Sequence, residues 1–224
     1  MLKSFILLRQ YLCQAAKLAI VIPPYIQEVI SGMLLGDGWI GRPWKKTGNA
    51  VLGVKQKDKA FVELLWNLFN SIGIVGCLPH LKTTVLKATG KVYTAFGFNT
   101  FKLPVFGVLF YQWYNIIDGK SIKKLPSNIA DLLTPVAIAF WVACDGHFIL
   151  REGVVRISTD NFTLAEVELL QTILLNKFGI KSTRSHNGSG KEQYRIRITK
   201  ASMPAFQSLI APHIPPMMAY RAGL

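Results

Sequence analysis

Acidic side chains are scarce: the 224-residue chain has 12 Asp and Glu against 26 Lys and Arg, a formal charge of +14, and a pI near 9.8. That imbalance points to a polyanionic partner, nucleic acid before an anionic membrane surface. Cysteine is rare too. Cys13, Cys77 and Cys144 lie far apart with no CxxC pair, which argues against a zinc site or a disulfide scaffold and suits a reducing compartment. His80, His147, His186 and His213 have no ligand spacing, and the sequence holds neither a Gly-rich phosphate loop nor a Ser/His/Asp order. The apolar stretch before Pro24 is interrupted by Lys3, Arg9 and Lys17, too often for a membrane span. It reads either as a transit-like presequence or as an amphipathic helix preceding the domain.

What is present is a folding composition, half hydrophobic and 17% charged, in a chain long enough for one large core or two of roughly 100 residues each. Internal repetition decides for two. An apolar helix from Ile26 to Gly36 runs into Asp37-Gly38, and another from Pro135 to Cys144 runs into Asp145-Gly146. Pro23-Pro24 and Thr134-Pro135 are helix-start signals, and the glycine after each aspartate suits a left-handed helix end. Strands are expected over Trp39–Trp44, Ala50–Gln56, His147–Leu150 and Val154–Thr159, followed by amphipathic helices over Lys59–Ile72 and Leu164–Phe178. Second hairpins follow, Leu81–Ala88 with Val92–Phe98 and Ser182–His186 with Gln193–Ile198, and closing helices start near Thr100 and Ser202. The segment from Asn115 to Asn128 reads as a linker. The expected fold class is α+β: two pseudo-symmetric αββαββα lobes, each a four-stranded antiparallel sheet with helices on one face. The expected division is an extension over 1–24, lobes over 25–115 and 131–224, and a linker over 116–130.

If a pseudo-twofold axis relates the halves, the two carboxylates meet where the helices join. Close carboxylates repel, and one is pushed toward protonation unless a cation lies between them. Hard oxygen ligands favour Mg²⁺, which binds through one or two carboxylates plus substrate phosphate, with Mn²⁺ or Ca²⁺ able to substitute for binding. That equipment suits phosphodiester hydrolysis. Close helix approach needs small side chains, and Gly32 with Gly36 and Ala139 with Ala143 recur at one-turn spacing.

The stretch Ile30-Ser31-Gly32-Met33-Leu34-Leu35-Gly36-Asp37-Gly38 resembles a LAGLIDADG motif, as does Ile138-Ala139-Phe140-Trp141-Val142-Ala143-Cys144-Asp145-Gly146. The chain from about Tyr25 is similar to the single-chain LAGLIDADG homing endonucleases, in the subgroup of the yeast mitochondrial intron enzyme. Supporting stretches are Lys57-Asp58-Lys59-Ala60, Ser158-Thr159-Asp160-Asn161-Phe162-Thr163 and Pro216-Met217-Met218-Ala219-Tyr220-Arg221. The resemblance implies metal binding at Asp37 and Asp145 with Gly36 and Cys144 beside them, and a basic residue near each scissile phosphate, Lys123 and Arg221. It also implies a monomer that cuts both strands of a long asymmetric DNA site, away from membranes, in an organelle, the mitochondrion first. Phe140 stands where glycine is usual, and Arg221 where the subgroup has lysine, keeping the charge without a proton to transfer. An RNA-binding maturase acting on its host intron is the alternative on the same fold.

Basic residues fall mainly on the expected hairpins, not along one helix, which disfavours a membrane-surface protein. The first half offers Arg42, Lys45, Lys46, Lys55, Lys82, Lys87 and Lys91, and the second Arg151, Arg156, Lys181, Arg184, His186, Lys191, Arg195 and Arg197. Arg195 and Arg197 alternate on one strand, as do Arg184 and His186, so each pair shares a face. A sheet with one basic face fits the major groove, and the two sheets side by side would form a DNA-binding saddle. His147, two after Asp145, either touches the DNA backbone or is structural.

Overall fold

A computed structural model describes residues 13–85, 89–186 and 193–224. Its centre is a pair of helices, α2 (Pro24–Leu35) and α6 (Pro135–Asp145), packed along each other. Every residue of α6 from Val136 to Cys144 is buried, and α2 is continuously buried from Val29 to Leu35. A helix apolar all round belongs inside a molecule, and here each helix is buried by its twin. Small residues set the approach. A Cβ at Gly32 would lie 2.3 Å from the Ala137 carbonyl, and one at Gly36 would lie 2.4 Å from the Cys144 Cβ. The joint is also pinned at its start, where Thr134 caps α6 through Ala137 N–H at 3.2 Å and donates to Glu28 of α2 at 2.6 Å.

Each central helix leads into a four-stranded antiparallel sheet. In the first, β1 (Trp39–Ile40), β2 (Leu52–Gln56), β3 (His80–Val85) and β4 (Val92–Asn99) run in the order β1-β2-β4-β3. The second has β7 (Gly146–Ile149), β8 (Val154–Ser158), β9 (Ser182–His186) and β10 (Tyr194–Ile198) in the order β7-β8-β10-β9. The orders correspond strand for strand, so the repetition in sequence is repetition in topology. Helices α3 (Lys59–Asn70) and α7 (Leu164–Phe178) pack on one face of their sheets. The first is capped by Asp58, and the second by a Thr163–Glu166 capping box and a left-handed Gly179. The remaining α-helices among the described residues are a short α1 (Gln14–Leu18), α4 (Pro104–Trp113), α5 (Ile129–Leu132) and α8 (Met203–Ile210), with 3₁₀ segments over Lys200–Ser202 and Pro216–Ala222. The result is α+β with two lobes forming a saddle, as expected.

Two sequence expectations change. The linker is structured: β5 (Tyr114–Ile117) and β6 (Lys120–Lys123) form a hairpin around Asp118 and Gly119, at φ 48° and 73°. That is the turn an Asp-Gly pair favours between strands. The glycines after the aspartates are not left-handed: Gly146 sits at φ −74°, and Gly38 is absent from the positive-φ residues. Crowding requires them instead. A Cβ at Gly38 would lie 2.8 Å from the Met33 carbonyl, and one at Gly146 would lie 2.6 Å from that of Val142.

Candidate active site

Asp37 lies in the turn that ends α2, and Asp145 is the last residue of α6. The two helix ends touch: a Cβ on Gly36 would stand 3.3 Å from an Asp145 carboxylate oxygen. The tips therefore meet as the pseudo-twofold arrangement requires. Burial raises the Asp37 carboxyl to about 6, against the opposing pull of Arg221, Lys123 and a hydrogen bond from Gln56. Asp145 rises to about 7, first through burial and then through the Asp37 charge, while Lys123 and Arg221 oppose the rise. Removal from water is the main cause for both, and for Asp145 the neighbouring carboxylate adds to it.

Two cations bracket the pair in matching ways. Lys123, at the end of β6, donates to the carbonyls of Gly36 and Gly38, each at 2.9 Å. Arg221, in the C-terminal 3₁₀ segment, donates to the carbonyls of Cys144 at 2.7 Å and Gly146 at 3.3 Å. Each cation thus bonds the residues before and after one aspartate. Burial lowers the Lys123 pKa, and Asp145, Cys144 and Asp37 pull it back up. The hairpin is held in place by Lys124 N–H to the Trp113 carbonyl at 2.8 Å, and Leu125 N–H reaches Glu166 of α7 at 2.7 Å. Cys144 is fully buried, and burial pushes its thiol pKa well up, so its side chain is no ready metal ligand.

Gln56 was not among the candidate residues. Its amide nitrogen donates to an Asp37 carboxylate oxygen and, at 3.2 Å, to the Cys144 carbonyl, across the lobe boundary. The corresponding residue of the second lobe, Thr159, turns its hydroxyl to the Tyr194 carbonyl instead, so the halves differ here. The oxygens gathered at the helix tips are the two carboxylates and the carbonyls of Gly36 and Cys144, the first carbonyl already accepting from Lys123 and the second from Gln56 and Arg221. Among the described residues no group of three or more His, Cys, Asp or Glu gathers. A cation here would complete its shell with water and phosphate oxygens, which Mg²⁺ accepts.

The open faces of the sheets, away from the helices, carry most of the strand cations. In the second lobe Ile196 and Ile198 are buried, so Arg195 and Arg197 point the other way. Arg197 pairs across the strands with Arg156, and Arg156 with His147. His147 is exposed and lines a cleft with Asp145, Ser158 and Arg221. In the first lobe Lys55 and Lys82 share the open face with Trp39, which lies across Gly53. Arg42, Lys45, Lys46, Lys91 and Arg151 are exposed in the loops. Arg184 and His186 depart from this arrangement. Arg184 stands opposite Ile196 and His186 opposite Tyr194, on the helix-covered face, where Arg184 pairs with Glu168 of α7. Lys87 and Lys191 lie outside the described residues.

Residues 27–206 match the model of the LAGLIDADG DNA endonuclease family. The chain is 32% identical over 204 residues to cytochrome b mRNA maturase bI2 of Saccharomyces cerevisiae, covering 88% of this chain and 47% of that protein. It thus spans about half the length of that relative. It is 26% identical over 209 residues to DNA endonuclease I-ChuI of Chlamydomonas applanata, covering 88% of this chain and 94% of that one. The homing endonuclease I-WcaI, solved bound to its DNA recognition sequence, superposes with a TM-score of 0.77 at 25% identity, over 90% of this chain and 88% of that one.

Proposed function

The chain belongs to the LAGLIDADG DNA endonuclease family, and from that premise we propose that it is a monomeric homing endonuclease making a double-strand break in a long asymmetric DNA site by divalent-cation-dependent hydrolysis. The observation that carries this is the pair of half-buried carboxylates at touching helix tips, each tip gripped by a cation from elsewhere in the chain. Asp37 and Asp145 would hold Mg²⁺, with the carbonyls of Gly36 and Cys144 beside them. A bound Mg²⁺ supplies Lewis acidity and an activated water. Lys123 and Arg221 place positive charge where phosphate charge builds up in the transition state, and Gln56 fixes the Asp37 carboxylate through its hydrogen bond. An asymmetric target follows from open faces that differ at nearly every position.

A second activity is favoured by one comparison: the relatives named cytochrome b mRNA maturase support intron RNA as a further partner and an organellar, mitochondrial setting. Plasmid carrying the intron-less host-gene junction, incubated with Mg²⁺, separates the readings. Linear product with the wild type, and none with Asp37→Asn or Asp145→Asn, is the expected result. Tight binding to host intron RNA with every junction left intact would make the protein a maturase instead.

A further inference from the structure

The two open faces are equally basic in sign but are built differently. Between Gly38 and Trp113 the only acids are Asp58 and Glu63. Asp58 caps α3 and Glu63 pairs with Lys59 of the same helix at 3.4 Å, so neither lies on the sheet. The sheet cations Lys55 and Lys82 face neutral groups, the Thr84 hydroxyl and, at 3.5 Å, the Asn99 amide oxygen. Burial and the neighbouring Lys55 charge both lower the Lys82 pKa. These are two like charges sharing a surface, with no anion between them among the described residues.

The second lobe uses arginine, and an acid of the same lobe holds one of them. Arg197 donates through Nε at 3.1 Å and Nη2 at 2.9 Å to one oxygen of Glu152, in the turn between β7 and β8. Arg195 lies 3.8 Å from Asp160, and Arg151 lies 3.7 Å from Glu152. The grip on Arg197 leaves both Nη1 hydrogens and one Nη2 hydrogen for an incoming pair of acceptors. The acid also cancels much of the long-range charge by which a cation seeks phosphate.

We infer that the lobes divide the work of DNA recognition: the second reads a base edge through Arg197, held by Glu152, and the first grips phosphates through Lys55 and Lys82, which face neutral groups. This rests on the endonuclease reading above. A planar guanidinium matches two acceptors on a guanine edge, but only if its plane is fixed before contact. Glu152 fixes it for Arg197. An ammonium is a point charge that accepts any phosphate oxygen, and Lys55 and Lys82 relieve their mutual repulsion when an anion sits between them.

The test uses the full chain, a randomised duplex library and Ca²⁺ in place of an ion that supports cutting. Bound duplexes are sequenced, and affinity for a duplex of unrelated sequence is followed against salt. Arg197→Lys keeps the charge and loses the fork, so preference at one or two adjacent base pairs falls about tenfold or more with the salt slope unchanged. Glu152→Gln lowers the same preference and tightens binding to the unrelated duplex. Lys82→Met weakens every duplex alike and lowers the salt slope by about one, leaving preferences intact. Normal selection by Arg197→Lys, or a base preference erased by Lys82→Met, overturns the division while leaving the nuclease reading in place. No binding to any duplex by the wild type overturns both.

Discussion

Replacing Asp145 by Asn removes a half-buried negative charge that has Asp37 beside it. In the folded, metal-free protein the two carboxyls titrate near 6 and 7, against 3.8 for a free side chain. Between those limits the native state binds more protons than the unfolded chain, so stability falls as pH rises from about 4 to about 7 and levels off above. Asp145→Asn should therefore raise the melting temperature of the chelator-treated protein at pH 8, on the order of 1–3 kcal/mol of stability, while cleavage disappears. The gain should shrink toward pH 4. Thermal unfolding in EDTA across that range checks it, and a variant no more stable than wild type at pH 8 would mean the carboxylates are not under strain. At this scale the aspartates were legible because each recurs at the same place in a matching half. Gln56 was legible in principle: it follows Leu52 and Val54 at the inward parity of β2, and a polar residue there needs a buried partner. Arg184 was not, since a strand's own alternation does not say which face meets the helices until the register with β10 is known.

Elements set how near those residues come. Along α2 and α6 the contact is made by Gly32 against the Ala137 carbonyl and the Phe140 Cβ, both on rigid helix, so nothing flexible can give way. Phe140 occupies a motif position usually small, and Gly32 is its complement on the facing helix. Gly32→Ala should cost roughly 1–3 kcal/mol by overpacking and should also lower cleavage, because a wider helix joint parts Asp37 from Asp145. Urea unfolding beside a cleavage assay separates the effects: a destabilised variant with full activity below its transition would show that the tips tolerate displacement. Helices and strands were readable from apolar period and punctuation, with ends off by a few residues. The β5–β6 hairpin was legible through its Asp-Gly turn between Ile117 and Lys120, yet three lysines and a proline in the same stretch read as linker. What the composition concealed was function, since that hairpin delivers Lys123 to the carbonyls of Gly36 and Gly38.

For the whole molecule the balance is between a +14 chain and two carboxylates set at the joint of its lobes. The sheet faces and loops attract the phosphate backbone, whereas Asp37 and Asp145 repel the phosphates that must come nearest. On the proposed function a divalent cation would reverse the sign of that local term, so metal and DNA should bind with positive coupling, each raising affinity for the other by the same factor. In EDTA the Asp37→Asn, Asp145→Asn double variant should bind duplex DNA several-fold more tightly than wild type. Adding Ca²⁺ should tighten the wild type and leave the variant almost unmoved. Both should keep a steep salt dependence, with affinity falling about 10³-fold or more between 50 and 200 mM salt if six or more phosphates are held. Fluorescence anisotropy on one labelled duplex, with and without Ca²⁺, measures all of these. Equal affinities for wild type and double variant in EDTA would place the carboxylates outside the path of the DNA backbone, and the site would then lack the substrate oxygens it needs to complete a metal shell.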